Sequence, residues 1–310
     1  MKQDIKFIDL YNKYINYKKL KVKEQSIRTI KSRFNTHILP FFKNYSINTI
    51  NVETYLEWQN KIEENGYTHK YNSSLHTAMV NIFNFGIKFY NLKQNIPSLT
   101  GNFRNKNDIY TIQSYWNYQE FKDFITIIND ILYKTLFETL FFTGLRLGEA
   151  LALNWNDFNN NYLHITKTIS KEYHNGKRII NSPKTKKSIR IVKLDNELIK
   201  SLNKLKNMYL KEKEFKNTWF IFGGLYPLSP TTITRKKDKY CELANVKQIR
   251  IHDFRHSHAS HLISLGVPIT VISERLGHKD IAMTLNTYSH MFKDDEDKAI
   301  DKLNILKENK

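Results

Sequence analysis

The chain has 310 residues, 40% of them hydrophobic and 13% aromatic, which suffices for two domains with sizeable cores. One cysteine excludes an intramolecular disulfide, the N-terminus lacks a signal peptide's apolar segment, and no run reaches the ~20 apolar residues that span a bilayer. The formal net charge of +19 indicates an anionic partner, nucleic acid before a membrane surface, although an AT-rich genome also yields Lys- and Asn-rich chains. We therefore expect a soluble cytoplasmic protein.

Apolar residues recur at helical spacing through the first hundred residues. The stretches "FIDLYNKYINYKKLK", "SIRTIKSRFNTHILP", "NVETYLEWQNKIEENG" and "NSSLHTAMVNIFNFGIKFY" each predict a helix. We expect Pro40 to end the second helix and Gly66 to stop the third. The next stretch, "NLKQNIPSLTGNFRNKND", lacks periodicity and predicts a linker. These features place a helical domain over residues 1–104 and the linker proper over residues 105–112.

From residue 113 the pattern changes from helices to strands and back. Asn117 and Glu120 suit a reciprocal helix cap, "LYKTLFETLFFTG" predicts a buried helix stopped by Gly144, and "LRLGEALALNW" predicts a short helix. The alternating stretches "YLHITKTISKEY", "GKRIINSP" and "SIRIVKL" predict a small antiparallel sheet, with "HNG" as a hairpin turn. Helices then resume and continue to the end. We therefore expect a mainly α protein with a small antiparallel β-sheet, whose second domain covers residues 113–310 and includes a C-terminal tail.

The stretch "TGLRLGEAL" places an arginine at the start of an apolar helix. Arg146 requires a partner in such surroundings, and Glu149 follows three residues later, close enough to pair with it or to orient it. One interpretation is a structural ion pair. The other is an arginine fork directed at a phosphate from the N-terminus of a helix.

The stretch "IHDFRHSHASHL" combines histidines with a second arginine. His252 and Arg255 are three residues apart and share a helix face, where a phosphate would meet an imidazole and a planar guanidinium. A metal site is the alternative, because His256, His258 and His261 lie on the same helix and His252 and His256 have ligand spacing. The phosphate interpretation is favoured, because no acidic or cysteine partner has ligand spacing and Arg255 would repel a cation.

Three further stretches carry reactive side chains. "SPKTKKSIR" places Lys184 in a turn between strands, with Lys186 and Lys187 beside it; "ERLGHKD" contains His278; and "AMTLNTYSHMF" contains Tyr288. Taken singly, these are typical of a solvated turn, a loop histidine and a packed tyrosine. Taken together with the two arginines, they suit phosphodiester transfer, in which cations stabilise the phosphate oxygens, a lysine protonates the leaving oxygen and a tyrosine attacks. No carboxylate cluster for Mg²⁺ accompanies them.

In order and spacing these motifs resemble those of the tyrosine recombinases, or phage-type integrases, and the resemblance covers nearly the whole chain. It is nearest to integrases of Gram-positive phages and integrative elements. The first part resembles the helical core-site-binding domain of the family, and the second part resembles its catalytic domain. The family's catalytic positions fall on Arg146, Lys184, His252, Arg255, His278 and the nucleophile Tyr288, with Glu149 at the supporting acidic position.

The resemblance implies a metal-independent enzyme without a cofactor. Such an enzyme is a site-specific recombinase that cleaves and rejoins DNA through a 3′-phosphotyrosyl link, integrating or excising a mobile element. Its implied partners are double-stranded DNA at attachment or core sites, three further copies of itself in a homotetramer, and accessory DNA-bending or excision factors, but not a membrane. The alternatives are a type IB topoisomerase-like nicking-closing enzyme and a non-catalytic DNA-binding protein on the same fold. The tail is expected to dock either on its own domain or on a neighbouring protomer.

Overall fold

The protein is described here from a computed structural model, which covers residues 5–104, 114–174, 177–182, 186–292 and 300. The chain divides into two compact units, Met1–Thr111 and Ile112–Lys310. Within the described ranges, no helix is both long enough and apolar enough to cross a bilayer.

The first unit is helical, as its periodicity predicts. Its elements are α1 (Phe7–Lys19), α2 (Glu24–Arg33), α3 (Leu39–Phe42), α4 (Val52–Glu63), α5 (His69–Tyr90) and α6 (Ile96–Thr100). α1 forms because five of its apolar residues, at helical spacing from Phe7 to Ile15, are buried in one core. Asn51 and Thr68 cap α4 and α5 by accepting hydrogen bonds from the backbone N–H three residues further on.

Two local predictions for the first unit are wrong. Pro40 does not end the second predicted helix, because α2 continues through a π-helical segment, Phe34–Ile38, into α3, where Pro40 lies in the first turn. The Leu39 N–H just before the proline donates to the Phe34 carbonyl, five residues back, so the chain has already left the i→i−4 pattern where Pro40 lacks its donor. The stretch after α5 is also not a bare linker, because it contains α6 and because Phe103 is buried in the first core. The linker predicted over residues 105–112 lies outside the described residues.

The second unit is built mainly from helices. They are α7 (Tyr118–Thr126), α8 (Ile131–Thr143), α9 (Leu147–Ala152), α10 (Asn196–Tyr209), α11 (Pro230–Leu243), α12 (Asp253–Ser264), α13 (Ile269–Leu276) and α14 (Ile281–Tyr288). α7 begins at the predicted reciprocal cap, where the side chains of Asn117 and Glu120 accept from each other's backbone N–H at 2.9 and 2.8 Å. α8 ends at Gly144, whose φ of +64° is the left-handed conformation that glycine adopts at low cost.

The strands form two antiparallel sheets rather than the single sheet that the sequence predicts. They are β1 (Phe158–Asn159), β2 (Tyr162–Ile165), β3 (Thr168–His174), β4 (Lys177–Asn181) and β5 (Arg190–Lys193). β5 pairs with β2, so that Leu163 and Val192 lie opposite each other and are both buried, whereas β3 and β4 pair only with each other. The lysine-bearing segment between β4 and β5 therefore joins two sheets and is not a hairpin turn. Residues 175–176, in the predicted β3–β4 turn, are not among those described.

Two cores in the second unit position the reactive side chains. A large aromatic core joins α7, α8 and α12, with the rings of Phe121 and Phe141 stacked 3.8 Å apart and Phe254 stacked on Phe137. A smaller cluster joins α12, α13 and α14 through Ala259, Ile272, Leu276 and Tyr288. The Tyr288 ring is therefore part of the packing that fixes α14 against its neighbours.

Candidate active site

Arg146 and Glu149 lie at the N-terminus of α9, immediately after the Gly144 turn. The Glu149 carboxylate accepts from the Arg146 backbone N–H at 3.0 Å and from its Nη1 at 2.9 Å. Glu149 is buried, whereas the Arg146 side chain keeps 38% of its surface exposed. The ion pair and an accessible arginine are thus both present, because Glu149 binds the guanidinium through Nη1 while part of the side chain remains exposed to a ligand.

Arg190 is a site residue that the sequence motifs did not reveal. It lies on β5, is nearly buried, and donates through Nη2 to the second oxygen of Glu149 at 3.0 Å. Its Nε donates to the Arg275 carbonyl at 2.8 Å. The sequence did contain one signal for it. Arg190 is two residues before the buried Val192 on an alternating strand, so both side chains lie on the same face, where a cation requires a partner.

The two arginines determine the charge of Glu149. Burial by itself raises the pKa of this carboxyl, but Arg190 and Arg146 outweigh burial and lower the pKa below its usual value. Glu149 is therefore ionised at neutral pH and balances one of the two positive charges that it contacts.

Arg255 lies in the first turn of α12 and is buried. Its Nη1 donates to the Gly144 carbonyl at 2.8 Å and its Nη2 to the Leu276 carbonyl at 2.7 Å. Both carbonyls lie at C-terminal helix ends, where the backbone lacks helical partners and attracts a cation. Burial and nearby Arg146 lower the pKa of Arg255 to about 9, so it remains protonated at neutral pH. Two of its five N–H donors are used here, which leaves three for a ligand.

His252, which is exposed at the surface, and His278, which is half-buried, are imidazoles beside these cations. Burial and Arg255 lower the pKa of His252. Burial and Arg255 likewise lower the pKa of His278 to about 4, and its Nδ1 lies 2.7 Å from the Thr284 hydroxyl. A neutral imidazole that accepts through Nδ1 carries its hydrogen on Nε2, so it can donate a hydrogen bond to an anion without adding charge.

Tyr288 is the last residue of α14 and is only 2% exposed. Its hydroxyl lies 2.8 Å from Nδ1 of His256. Burial raises the pKa of Tyr288, and Arg255 opposes that rise. The side chain is therefore an un-ionised phenol at neutral pH, within electrostatic reach of the buried guanidinium.

The five predicted catalytic side chains that the structure describes lie near one another, and so does the supporting Glu149. Arg146, Arg190 and Tyr288 each influence the pKa of Arg255, and the same arginines influence the pKa of His278. Arg255 and Arg146 also influence His252. Lys184 lies outside the described residues, and Lys187, on the same segment, is exposed.

The histidines of α12 have separate surroundings. His258 is buried and accepts from Nε of Arg275 at 3.1 Å, whereas the His261 ring stacks on Tyr118 with centroids 5.2 Å apart. Within the described part of the chain, no group of three or more His, Cys, Asp or Glu residues is arranged to hold a metal ion. The arrangement favours phosphate over metal because guanidinium groups surround the site.

Comparison with known proteins places the chain in a family. The model of the phage integrase family matches residues 116–295, and that of the phage integrase N-terminal SAM-like domain matches residues 6–62. The chain therefore belongs to the phage integrase family and is a tyrosine-type site-specific recombinase. This membership confirms the resemblance that the motifs carry, and it favours recombination over the topoisomerase-like alternative.

Individual relatives agree with this placement. The ICEBs1 integrase of Bacillus subtilis (strain 168) is 29% identical over 98% of this chain and 84% of its own length. The expected likeness to integrases of Gram-positive phages and integrative elements is confirmed.

Solved structures share the fold. The Tn1549 transposon integrase in complex with transposon right end DNA is 19% identical, covers 97% of this chain and 100% of its own, and superposes with a TM-score of 0.80. A lambda integrase tetramer bound to a Holliday junction is 14% identical, covers 92% of this chain and 78% of its own, and has a TM-score of 0.67. The expected mainly helical fold with a small antiparallel β-structure is confirmed, although its strands form two sheets and not one.

Proposed function

We propose that the chain cleaves and rejoins double-stranded DNA through a 3′-phosphotyrosyl intermediate, with Tyr288 as the nucleophile. The observation that carries the proposal is that the buried Tyr288 lies close enough to Arg255 for each to shift the pKa of the other, with Arg146 also acting on Arg255. A phosphodiester bound at this point would meet guanidinium donors on its non-bridging oxygens and a tyrosine hydroxyl next to its phosphorus.

The proposed reaction conserves the energy of the phosphodiester. The Tyr288 oxygen forms a bond to phosphorus as the bond to the 5′-oxygen breaks, and that oxygen leaves as a 5′-hydroxyl. Attack by the 5′-hydroxyl of a partner strand then restores a phosphodiester and frees the tyrosine. No nucleoside triphosphate is consumed, because each step exchanges one phosphate ester bond for another.

Each described side chain has a role that follows from its surroundings. Arg255 and Arg146 bind the two non-bridging oxygens, Arg255 through the donors that its carbonyl contacts leave over. His252 and His278 donate as neutral imidazoles, so they stabilise the developing charge without repelling the arginines.

Glu149 and Lys184 complete the proposed set. Glu149 acts through Arg146, which it holds by side chain and backbone. Lys184 protonates the 5′-oxygen, a role that rests on the sequence motif alone. The stabilising charge comes from arginine, so the proposed reaction requires neither a metal ion nor an organic cofactor.

The charge of the chain supports double-stranded DNA as the partner. A formal net charge of +19 favours binding to phosphates, which is driven largely by counterion release. We assign core-site binding to residues 1–104 and catalysis to residues 113–310, joined by residues 105–112. The Tn1549 integrase bound to transposon right end DNA supports action on the DNA of a mobile element, and the lambda integrase tetramer on a Holliday junction supports a homotetramer. The proposal further includes attachment-site DNA as the substrate, action in the cytoplasm and accessory bending or excision factors.

The decisive test is Tyr288→Phe, which removes the hydroxyl and retains the packed ring. A nicked suicide substrate, with its site taken from the DNA flanking the gene, traps the covalent species on a denaturing gel. We expect the variant to shift the duplex in a native gel as the parent does and to form no covalent species. A covalent adduct of equal yield would reject Tyr288 as the nucleophile, and an inactive parent would favour a non-catalytic DNA-binding protein.

A further inference from the structure

We infer that His256 is a further catalytic residue, whose Nδ1 takes the proton from the Tyr288 hydroxyl as the tyrosine attacks phosphorus. The inference rests on the proposed function, in which Tyr288 is the nucleophile. His256 belongs to α12, one residue after Arg255, and it is absent from the catalytic set that the motifs predict.

The geometry is that of a nucleophile and its base. The Tyr288 oxygen and His256 Nδ1 are 2.8 Å apart, within the range for direct proton transfer. The two rings lie 5.9 Å apart between centroids, so the contact is made through the hydroxyl and not by stacking. The His252 ring packs edge to face against the His256 ring, with centroids 5.3 Å apart. His252 therefore contacts the residue that is hydrogen-bonded to Tyr288.

The surroundings keep His256 in the state that a base requires. Burial and His252 lower the pKa of His256 to about 4, with Arg250 and Arg255 acting in the same direction and Asp253 opposing them. The imidazole is therefore neutral at pH 7 and free to accept a proton. An incoming phosphate would add negative charge beside these cations and raise the pKa of His256 toward the value that proton transfer needs.

The phenol cannot supply the nucleophile alone. Burial raises the pKa of Tyr288, and Arg255 only partly offsets the effect, so the free phenolate is scarce at neutral pH. In the step that we infer, the oxygen–phosphorus bond forms while the hydroxyl proton passes to His256, which becomes an imidazolium. During religation the bond between Tyr288 and phosphorus breaks, and the imidazolium returns the same proton to the leaving phenolate.

The experiment compares His256→Asn with the parent over pH 6 to 9, using single-turnover cleavage of the suicide substrate. Asparagine accepts a hydrogen bond but cannot take up a proton. We expect cleavage at pH 7 to fall by roughly 10²–10⁴-fold, the usual contribution of a general base. We also expect the remaining rate to rise about tenfold per pH unit, as hydroxide takes over the deprotonation of a phenol far below its pKa. The parent rate should change little over this range.

A change in the nucleophile itself separates base catalysis from folding. Ring-fluorinated tyrosine at position 288 has a more acidic phenol, so it should restore most of the rate to His256→Asn and alter the parent little. His261→Asn is the matched control, because it makes the same change on the same helix at a ring that stacks on Tyr118. It should cleave at the parent rate at every pH.

The outcomes separate this inference from the proposed function. If Tyr288→Phe still forms the covalent adduct, the nucleophile is wrong and both ideas fall. If Tyr288→Phe is inert but His256→Asn retains the parent rate, or loses rate equally at all pH values without fluorotyrosine rescue, only the inference is overturned. The rescued, pH-dependent pattern in His252→Asn instead would assign the base to His252.

Discussion

Replacing Arg190 with methionine should destabilise the second unit strongly, because it leaves the buried Glu149 carboxylate without its buried partner. The side chains of Arg190 and Glu149 keep only 7% and 3% of their surface exposed. Removing one member of such a pair typically costs roughly 3–5 kcal/mol, since the remaining charge stays desolvated. Arg190→Met retains most of the aliphatic stem, so the expected loss in the free energy of unfolding is about 3–5 kcal/mol from charge and hydrogen bonding alone.

Arg146→Met is the control, because it removes the other partner of the same carboxylate. The Arg146 side chain is 38% exposed, so solvent screens its ion pair with Glu149. Such pairs contribute about 0–1 kcal/mol, and Glu149 keeps Arg190 in this variant. Arg146→Met should therefore abolish cleavage while leaving the free energy of unfolding nearly unchanged. Replacing a purely structural arginine would have the opposite effects.

Urea unfolding followed by tryptophan fluorescence measures the difference. The chain has four tryptophans, and in a Trp58→Phe background the remaining three all lie in the second unit. Because the pKa of Glu149 is lowered in the folded chain, the stabilisation is complete above its unfolded value of about 4.3. It is lost as pH falls through the folded value, so the gap between parent and Arg190→Met should narrow in acid. Equal losses for both variants, or a loss below about 1 kcal/mol for Arg190→Met, would refute this account.

Two further predictions concern cleavage. Arg146→Lys and Arg255→Lys should each slow single-turnover cleavage by roughly 10²-fold or more, because lysine keeps the charge but lacks the planar fork; near-parent rates for both would make the arginines structural. Lys184→Ala should be slow on ordinary DNA and largely restored on DNA with a 5′-phosphorothiolate at the scissile bond, because sulfur leaves without a proton. Lys186→Ala and Lys187→Ala are the matched controls, and the rescued pattern in either of them would move the general acid to that residue.

The sequence was sufficient to predict those site residues that local spacing distinguishes from their neighbours. Arg146 follows a glycine turn and enters an apolar helix, and Tyr288 ends a stretch that follows the His278 turn, so local spacing sufficed to single them out. The helices of the first unit were predictable for the same reason, because burial follows the helical period from Phe7 onward.

Contacts between distant residues were not predictable in this way. Arg190 and Glu149 are 41 residues apart in the sequence, and His256 and Tyr288 are 32 apart. Neither hydrogen bond therefore produces a local sequence pattern. The division of the strands into two sheets has the same origin, because β5 pairs with β2 and bypasses the hairpin between them. The helix end predicted at Pro40 was wrong because a π-helical segment precedes the proline and the helical backbone continues into α3.

On the proposed function, the contacts of Arg255 make DNA cleavage depend on the packing of two helix ends that are distant in the sequence. The guanidinium is held between the ends of α8 and α13, which are separated by more than a hundred residues of chain. Without α13 in place, this arginine keeps only one of its two carbonyl acceptors, and Tyr288 on α14 lacks a fully held cation nearby. On the proposed function, a copy that has not completed this packing should therefore bind DNA without cutting it, so that cleavage of the cell's own chromosome would require a fully folded molecule.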